Sequence, residues 1–310
     1  MDAALGALLA ARGRLPLASA IPGALAFWCL GALALGRIPL TEPRPATCAA
    51  ASAGVWCSLS NRADVRFVAF VLLGVLGITA GTSLVAMLTG PVLSLIAGFG
   101  WPSYGPLGAL ARQRAGAHRR RRARAVSRLG RDGSAAAARL AWYPAGDTAV
   151  RPTRIGNAFA AMDQRVTRRH GLGLATCWPL LELAVPRPTS DRLETASRLV
   201  AGRIQNLIWC VAALVWVPAF PAPLAFLIAG AAVILAGLLW WAASGGVEQY
   251  CALIEATVAA SRRAMYVAIG WPVPASTTEE PAQGKALTGY LDRRSDPGHV
   301  VLGWPSEPGT

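Results

Sequence analysis

Arg154 and Asn157 stand three residues apart in Arg151-Pro152-Thr153-Arg154-Ile155-Gly156-Asn157, so on a helix they share one face, a turn apart. A guanidinium fork beside a carboxamide suits a carboxylate, a phosphate or a lipid headgroup, and Gly156 leaves room for close backbone approach. The plainer role for the pair is to tether the start of that helix. A second concentration of chemistry is His118-Arg119-Arg120-Arg121-Arg122-Ala123-Arg124. Arg119, Arg120, Arg121 and Arg122 neutralise phosphates equally well on nucleic acid or on a lipid surface, where each basic residue contributes about 1 kcal/mol. The run lacks interleaved aromatics for base stacking and directly follows an apolar segment. Both features favour lipid headgroups, or a plain topology determinant, over nucleic acid.

Catalysis needs a positioned pair or triad, and none is spelled out. The chain contains no Gly-x-Ser-x-Gly, no His-Glu-x-x-His, no Gly-Lys-Ser/Thr phosphate loop and no dinucleotide fingerprint. His118, His170 and His299 are scattered and no Cys-x-x-Cys occurs, so the sequence offers no zinc site and implies no cofactor. Cys48 and Cys57 form a candidate disulfide, whereas Cys29, Cys177, Cys210 and Cys251 read as small apolar residues.

These residues must be positioned by an unusually apolar chain. Hydrophobic residues make up 54% and charged residues only 15%, well below the roughly 25% usual in soluble domains. Three stretches lack any Asp, Glu, Lys, Arg or His: Leu15–Gly36, Phe67–Ala111 and Ile204–Val247. A helix crosses a bilayer with about 20 apolar residues. The first stretch holds one span, read as retained rather than as a cleaved signal peptide. The third holds two, at 204–220 and 224–243, folded at Pro218-Ala219-Phe220-Pro221-Ala222-Pro223, because prolines this dense interrupt a regular helix. In the middle stretch Phe67–Leu88 is a span. Gly90-Pro91 then breaks it, and Pro91–Trp101 reads as an interfacial or re-entrant helix, or else as a kinked continuation.

Between Arg112 and Arg203 lie 19 Arg and no Lys against six carboxylates, which accounts for nearly all of the net charge of +14. The positive-inside bias therefore places this segment, and with four spans both termini, in the cytoplasm. The Arg37–Arg66 loop with its two cysteines then faces outward. One Lys against 29 Arg, with abundant Ala and Gly, suggests a bacterial plasma membrane as the setting.

Within the basic segment, Gly130–Ala138 reads as a flexible connector. A helix follows with apolar Ile155, Ala158, Phe159, Met162 and Val166 on one face, Thr153 as N-cap and Gly171 as terminator. Another starts at Asp191, with Glu194 completing a capping-box-like pair, and runs on into the third span. Val247–Ile269 extends the fourth span and stops at Gly270-Trp271-Pro272.

Pro152-Thr153-Arg154-Ile155-Gly156-Asn157, His170-Gly171-Leu172 and Trp178-Pro179 resemble, in pieces over about two-thirds of the chain, a family of uncharacterised bacterial multi-spanning membrane proteins. That family carries a Pro-Thr-Arg-(apolar)-Gly-Asn stretch and a later Trp-Pro, and its C-terminal part resembles Tyr250–Glu255 and Tyr266–Pro272. Where it tends to have Tyr, Asp and Arg, this chain has His170, Gly173 and Leu180. The resemblance implies architecture and no particular activity.

The expected fold is thus an all-α integral membrane protein, with four transmembrane helices in two pairs and a helical, Arg-rich cytoplasmic insert. Its segments are 1–111 (first pair plus interfacial helix), 112–203 (basic insert), 204–246 (second hairpin), 247–273 (cytoplasmic helix) and 274–310 (flexible tail). The expected role is a non-enzymatic scaffold or regulatory protein docking anionic lipid headgroups or a cytoplasmic partner. A homo-oligomeric channel is the alternative, favoured by small residues in the spans (Gly74, Gly77, Gly81; Gly230, Ala232, Gly237), and a membrane enzyme comes third. The apolar stretches carry no ionisable side chain, which disfavours a proton- or sodium-coupled carrier.

Overall fold

The computed structural model describes residues 21–35, 65–99, 101–102, 104–131 and 133–292. Among these the chain is all-helical: α1 (Ile21–Leu35), α2 (Val65–Ala97), α3 (Gly105–Arg128), α4 (Gly133–Leu140), α5 (Arg154–His170), α6 (Leu174–Ala184), α7 (Arg187–Ala212), α8 (Ala222–Ala268) and α9 (Glu280–Leu291). Short 3-10 turns cover Asp147–Ala149 and Ala213–Ala219. Three helices are long and apolar enough to cross a membrane: Gly74–Ala97, Arg187–Ala219 and Ala222–Ala268, with mean hydropathies of 1.7, 1.5 and 2.4. α1 is apolar but only 15 residues long, and the remainder of its expected span lies outside the described residues, as do Cys48 and Cys57.

The chain divides into two compact units. One comprises Leu15–Val92 and Arg198–Ala243. Its core gathers Ala24, Val85 and Trp209, packed by Phe27, Trp28, Ile208 and Ala212. Glycines let the aromatics in: a Cβ on Gly77 would stand 3.0 Å from the Trp28 ring, and one on Gly81 3.1 Å from Trp209. Asn206 Oδ1 accepts a 2.8 Å hydrogen bond from the Gly23 amide, one of the first-turn donors that a helix cannot satisfy itself. At the far end of α7 the backbone tightens into the 3-10 turn around Pro218, then reverses at Phe220-Pro221. Pro223 falls in the first turn of α8, where its missing N–H costs nothing. Along α8, Phe226, Leu227, Val233, Ile234 and Leu238 are exposed, Phe226 by 78%. An apolar surface this continuous is unsuited to water and suited to hydrocarbon.

The described residues of the other unit lie within 93–197 and 244–292. Val247, Tyr250, Cys251, Ile254 and Val258 on α8 are at most 2% exposed, and so are Ile155, Ala158, Phe159, Met162 and Val166 on α5. The two stripes are linked by ion pairs, Arg154 to Glu248 and Arg165 to Glu255. Residues 247–273 and the basic insert, expected as separate segments, therefore share one unit.

Three further expectations need correction, and of the two readings of Pro91–Trp101 the continuation holds: Pro91–Ala97 forms the last two turns of α2, with Pro91 inside the helix, not a separate interfacial helix. The interruption comes later, at Gly98 (φ +79°), where Phe99 N–H reaches back to Ser94 and the Trp101 indole caps the Leu95 carbonyl at 2.6 Å. The connector around Gly130–Ala138 contains α4, which packs on α3; its alanines favour helix. α7 begins at Arg187 rather than Asp191, because Pro188 in a first turn assists nucleation. Finally, the expected flexible tail from 274 carries α9, packed on α5 and α6 with Leu287 fully buried.

Candidate functional site

The site is built on the basic insert. α3 forms because Ala, Leu and Arg are strong helix formers and Pro106 sits in its first turn. Its buried positions are all small (Gly108, Ala115 and Ala125), which leaves the long cationic side chains directed outward. His118, Arg121, Arg124, Ala125 and Arg128 follow one another at helical spacing and line a cavity of about 500 Å3. Arg139 from α4 joins them, with Trp142 and Tyr143 from the following turn and Arg154 and Asn157 from the first turn of α5.

Two clamps hold the turn that closes the cavity. Arg122 pairs with Asp147 and also donates to the Ala145 carbonyl. Gln164 Oε1 accepts from the Ala145 amide at 2.6 Å, and Arg165 donates both to the Ala141 carbonyl and to Glu255. On the other side, Thr153 caps α5 by accepting from the Gly156 amide at 3.0 Å. Asn157 Oδ1 accepts from Arg151 N–H at 2.8 Å, while its Nδ2 donates to the carbonyls of Arg151 and Thr153. Gly156 is required here: any Cβ would overlap the Ala97 carbonyl oxygen.

The charge in the cavity is one-sided. No carboxylate is among its lining residues. Arg154 is neutralised by Glu248 from α8, but among the described residues Arg121, Arg124, Arg128 and Arg139 have no ion-pair partner. His118 Nδ1 and the Tyr143 hydroxyl lie 3.1 Å apart. Burial, and then Arg121 and Arg114, push the His118 pKa down. Burial pushes the Tyr143 pKa up, against Arg121 and Arg154. Among the described residues this arrangement has four guanidinium forks without an ion-pair partner, together with an imidazole, a phenol and an indole lining one space. It is chemically competent to hold a multivalent oxyanion.

The residues expected from sequence are partly brought together. Arg154 and Asn157 both line the cavity, Arg154 as half of an ion pair and Asn157 as a buried brace of the 151–153 segment. Of the Arg119–Arg122 run only Arg121 lines it; Arg122 is the clamp on Asp147, and Arg119 and Arg120 are exposed elsewhere on α3. The basic run marked in the sequence contains His118 and Arg124, though neither was named as a contact, and Arg128, Arg139, Trp142 and Tyr143 were not expected at the site. The available signal was the three- and four-residue spacing from His118 to Arg128; nothing local marked Arg139 or the aromatic pair.

A second charged cluster lies in the same unit. The buried Glu280 carboxylate meets His170 Nδ1 at 2.8 Å and the Arg262 guanidinium. It ties the start of α9 to the ends of α5 and α8. Among the described residues no group of three or more His, Cys, Asp or Glu could hold a metal ion.

No family model, curated protein or solved structure matches this chain.

Proposed function

We propose that this chain is a bacterial multi-pass membrane protein with four spans and cytoplasmic termini. In this reading its basic helical unit serves as a non-enzymatic docking site for anionic lipid headgroups or for a cytoplasmic partner bearing the same charge. The observation that carries it is the cavity between α3, α4 and α5, where Arg121, Arg124, Arg128 and Arg139 pair with no carboxylate of the described residues and only Arg154 is offset, by Glu248. A membrane-proximal cationic site gains about 1 kcal/mol per basic residue from anionic headgroups, or roughly fivefold in occupancy. The resemblance to multi-spanning bacterial proteins through Pro152–Asn157 supports the architecture.

The test is the lipid and protein retained by the purified chain in nanodiscs. Anionic phospholipid should be enriched over the bulk mixture, and Arg121→Glu with Arg128→Glu should abolish the enrichment. Equal retention of zwitterionic and anionic lipid, with no cytoplasmic protein held, would overturn the reading.

One observation favours a homo-oligomeric channel as the second reading. Gly77 and Gly81 are spent on Trp28 and Trp209, whereas Gly74, Gly230 and Gly237 have nothing within 4 Å of a would-be Cβ. Such open small positions allow another copy to approach closely. A single-chain mass in nanodiscs, without conductance, removes that reading.

A further inference from the structure

Resting on that docking reading, we propose that the α3–α4–α5 cavity selects ligands carrying two phosphoryl groups, rather than anionic charge in general. Three observations carry the inference. Arg121 and Arg128 are two turns apart on α3, a rise of about 10 Å at roughly 1.5 Å per residue. Their side chains therefore leave the helix well apart, which gives the cavity room for two separate anion contacts along α3. Next, among the described residues the cavity presents four guanidiniums without an ion-pair partner, with Arg139 contributed by α4. A single phosphodiester or phosphomonoester supplies at most about two negative charges. Neutralising the set takes two phosphoryl groups. Third, Trp142 and Tyr143 also line the volume of about 500 Å3, with Tyr143 against His118, so part of the lining is aromatic. It suits the uncharged bridge joining two phosphates, whereas a densely acidic peptide would place charge against it.

Two sources share this chemistry: a lipid whose two phosphates are joined by glycerol, and a soluble diphosphate. His118 and Tyr143 serve either one. Their contact is polar and partly buried, so a phosphate oxygen can take a hydrogen bond from either side chain once the other partner reorients.

The experiment uses the full chain in nanodiscs. One arm compares diphosphatidylglycerol with phosphatidylglycerol at matched total charge, scored by lipid enrichment. The other titrates pyrophosphate, orthophosphate and a polyglutamate peptide by calorimetry. The expected result is at least tenfold preference for the two-phosphate probe in one or both arms, and the responding arm identifies the source. Arg128→Lys and Arg139→Lys should lose the preference while keeping the charge, since an ammonium lacks the bidentate fork. Arg119→Lys and Arg120→Lys, outside the cavity, should change nothing. Thermal denaturation establishes that each variant is folded. Anionic probes retained in proportion to charge alone, or polyglutamate competing as well as pyrophosphate, would sink the two-phosphate inference and leave the docking function standing. No anionic probe retained at all would remove both.

Discussion

Asn157 shows how a residue with binding chemistry is spent on structure. Its carboxamide makes one acceptor and two donor bonds to the backbone of Arg151 and Thr153, and it is 1% exposed. Each net hydrogen bond is worth about 1 kcal/mol, and an orphaned buried partner costs about 1–3 more. Asn157→Ala should therefore lower stability by about 2–4 kcal/mol, read as a fall in the detergent-solubilised melting temperature. Asn157→Asp should be at least as damaging, because it keeps the acceptor, removes the donor and adds a buried charge. A variant of unchanged stability would mean that the brace is dispensable. Ionisable groups nearby give a second prediction. Burial raises the Asp163 pKa above its usual 3.8, so ionised Asp163 costs stability at neutral pH. That cost disappears as pH falls through the raised value and is gone below 3.8. His118 runs the other way. Its lowered pKa leaves stability unaffected above about 6.5, and stability is lost as pH falls below that value while only the unfolded imidazole takes up a proton. Asp163→Asn should stabilise at pH 7 and lose its advantage toward pH 4, whereas His118→Gln should flatten the loss between pH 7 and 5. Melting temperatures across that range would check both signs.

At the scale of elements, what local sequence determines was legible and what partners determine was not. The α5 cap at Thr153, its stop at Gly171 and its buried stripe follow from the spacing alone, because capping and amphipathicity are local. α9 was missed for the opposite reason. Glu280–Leu291 has no strong helical stripe of its own and contains Gly284 and Gly289. It is defined by what it touches: Gly284 lies so close to the His170 carbonyl that a Cβ would overlap it, and Thr288 Oγ1 accepts from the Gly173 amide at 2.9 Å. Leu287, fully buried, is its one large apolar anchor. Leu287→Ala should cost about 2–4 kcal/mol. The same change should raise hydrogen exchange across α9 and the C-terminal turn of α5, leaving α3 and α4 protected. Uniform loosening of the whole unit, or none, would show that α9 is not held in this way. The cavity divides along the same line. Arg154 and Asn157 were visible because they share one helix face, while Arg139 and Tyr143 arrive from other elements and become neighbours only when α4 and the 141–146 turn fold back.

The whole molecule turns on the number of times the chain crosses the bilayer. Three described helices are long and apolar enough to do so, and α1, with 15 residues of its own, is the candidate for a fourth crossing. α1 is uniformly apolar, Leu25 and Leu33 on it are exposed, the Phe27 ring lies 5.0 Å from Trp209 and 5.6 Å from Trp216, and Trp28 packs against the same core cluster. In the sequence, uncharged residues on both sides of α1 lengthen the apolar stretch to Leu15–Gly36, which meets the roughly 20 residues a crossing needs. Parity makes this count measurable. Four crossings put both chain termini on the side of the Arg-rich insert, which the positive-inside bias assigns to the cytoplasm. Three crossings put them on opposite sides. Reporters that fluoresce only in the cytoplasm, or are active only outside it, fused in turn to Met1 and Thr310, should both report cytoplasm. A cytoplasmic C-terminus with an external N-terminus would reduce α1 to a helix that enters the bilayer without crossing it. The Arg-lined cavity would keep its orientation, so the docking site and the span count stand or fall separately.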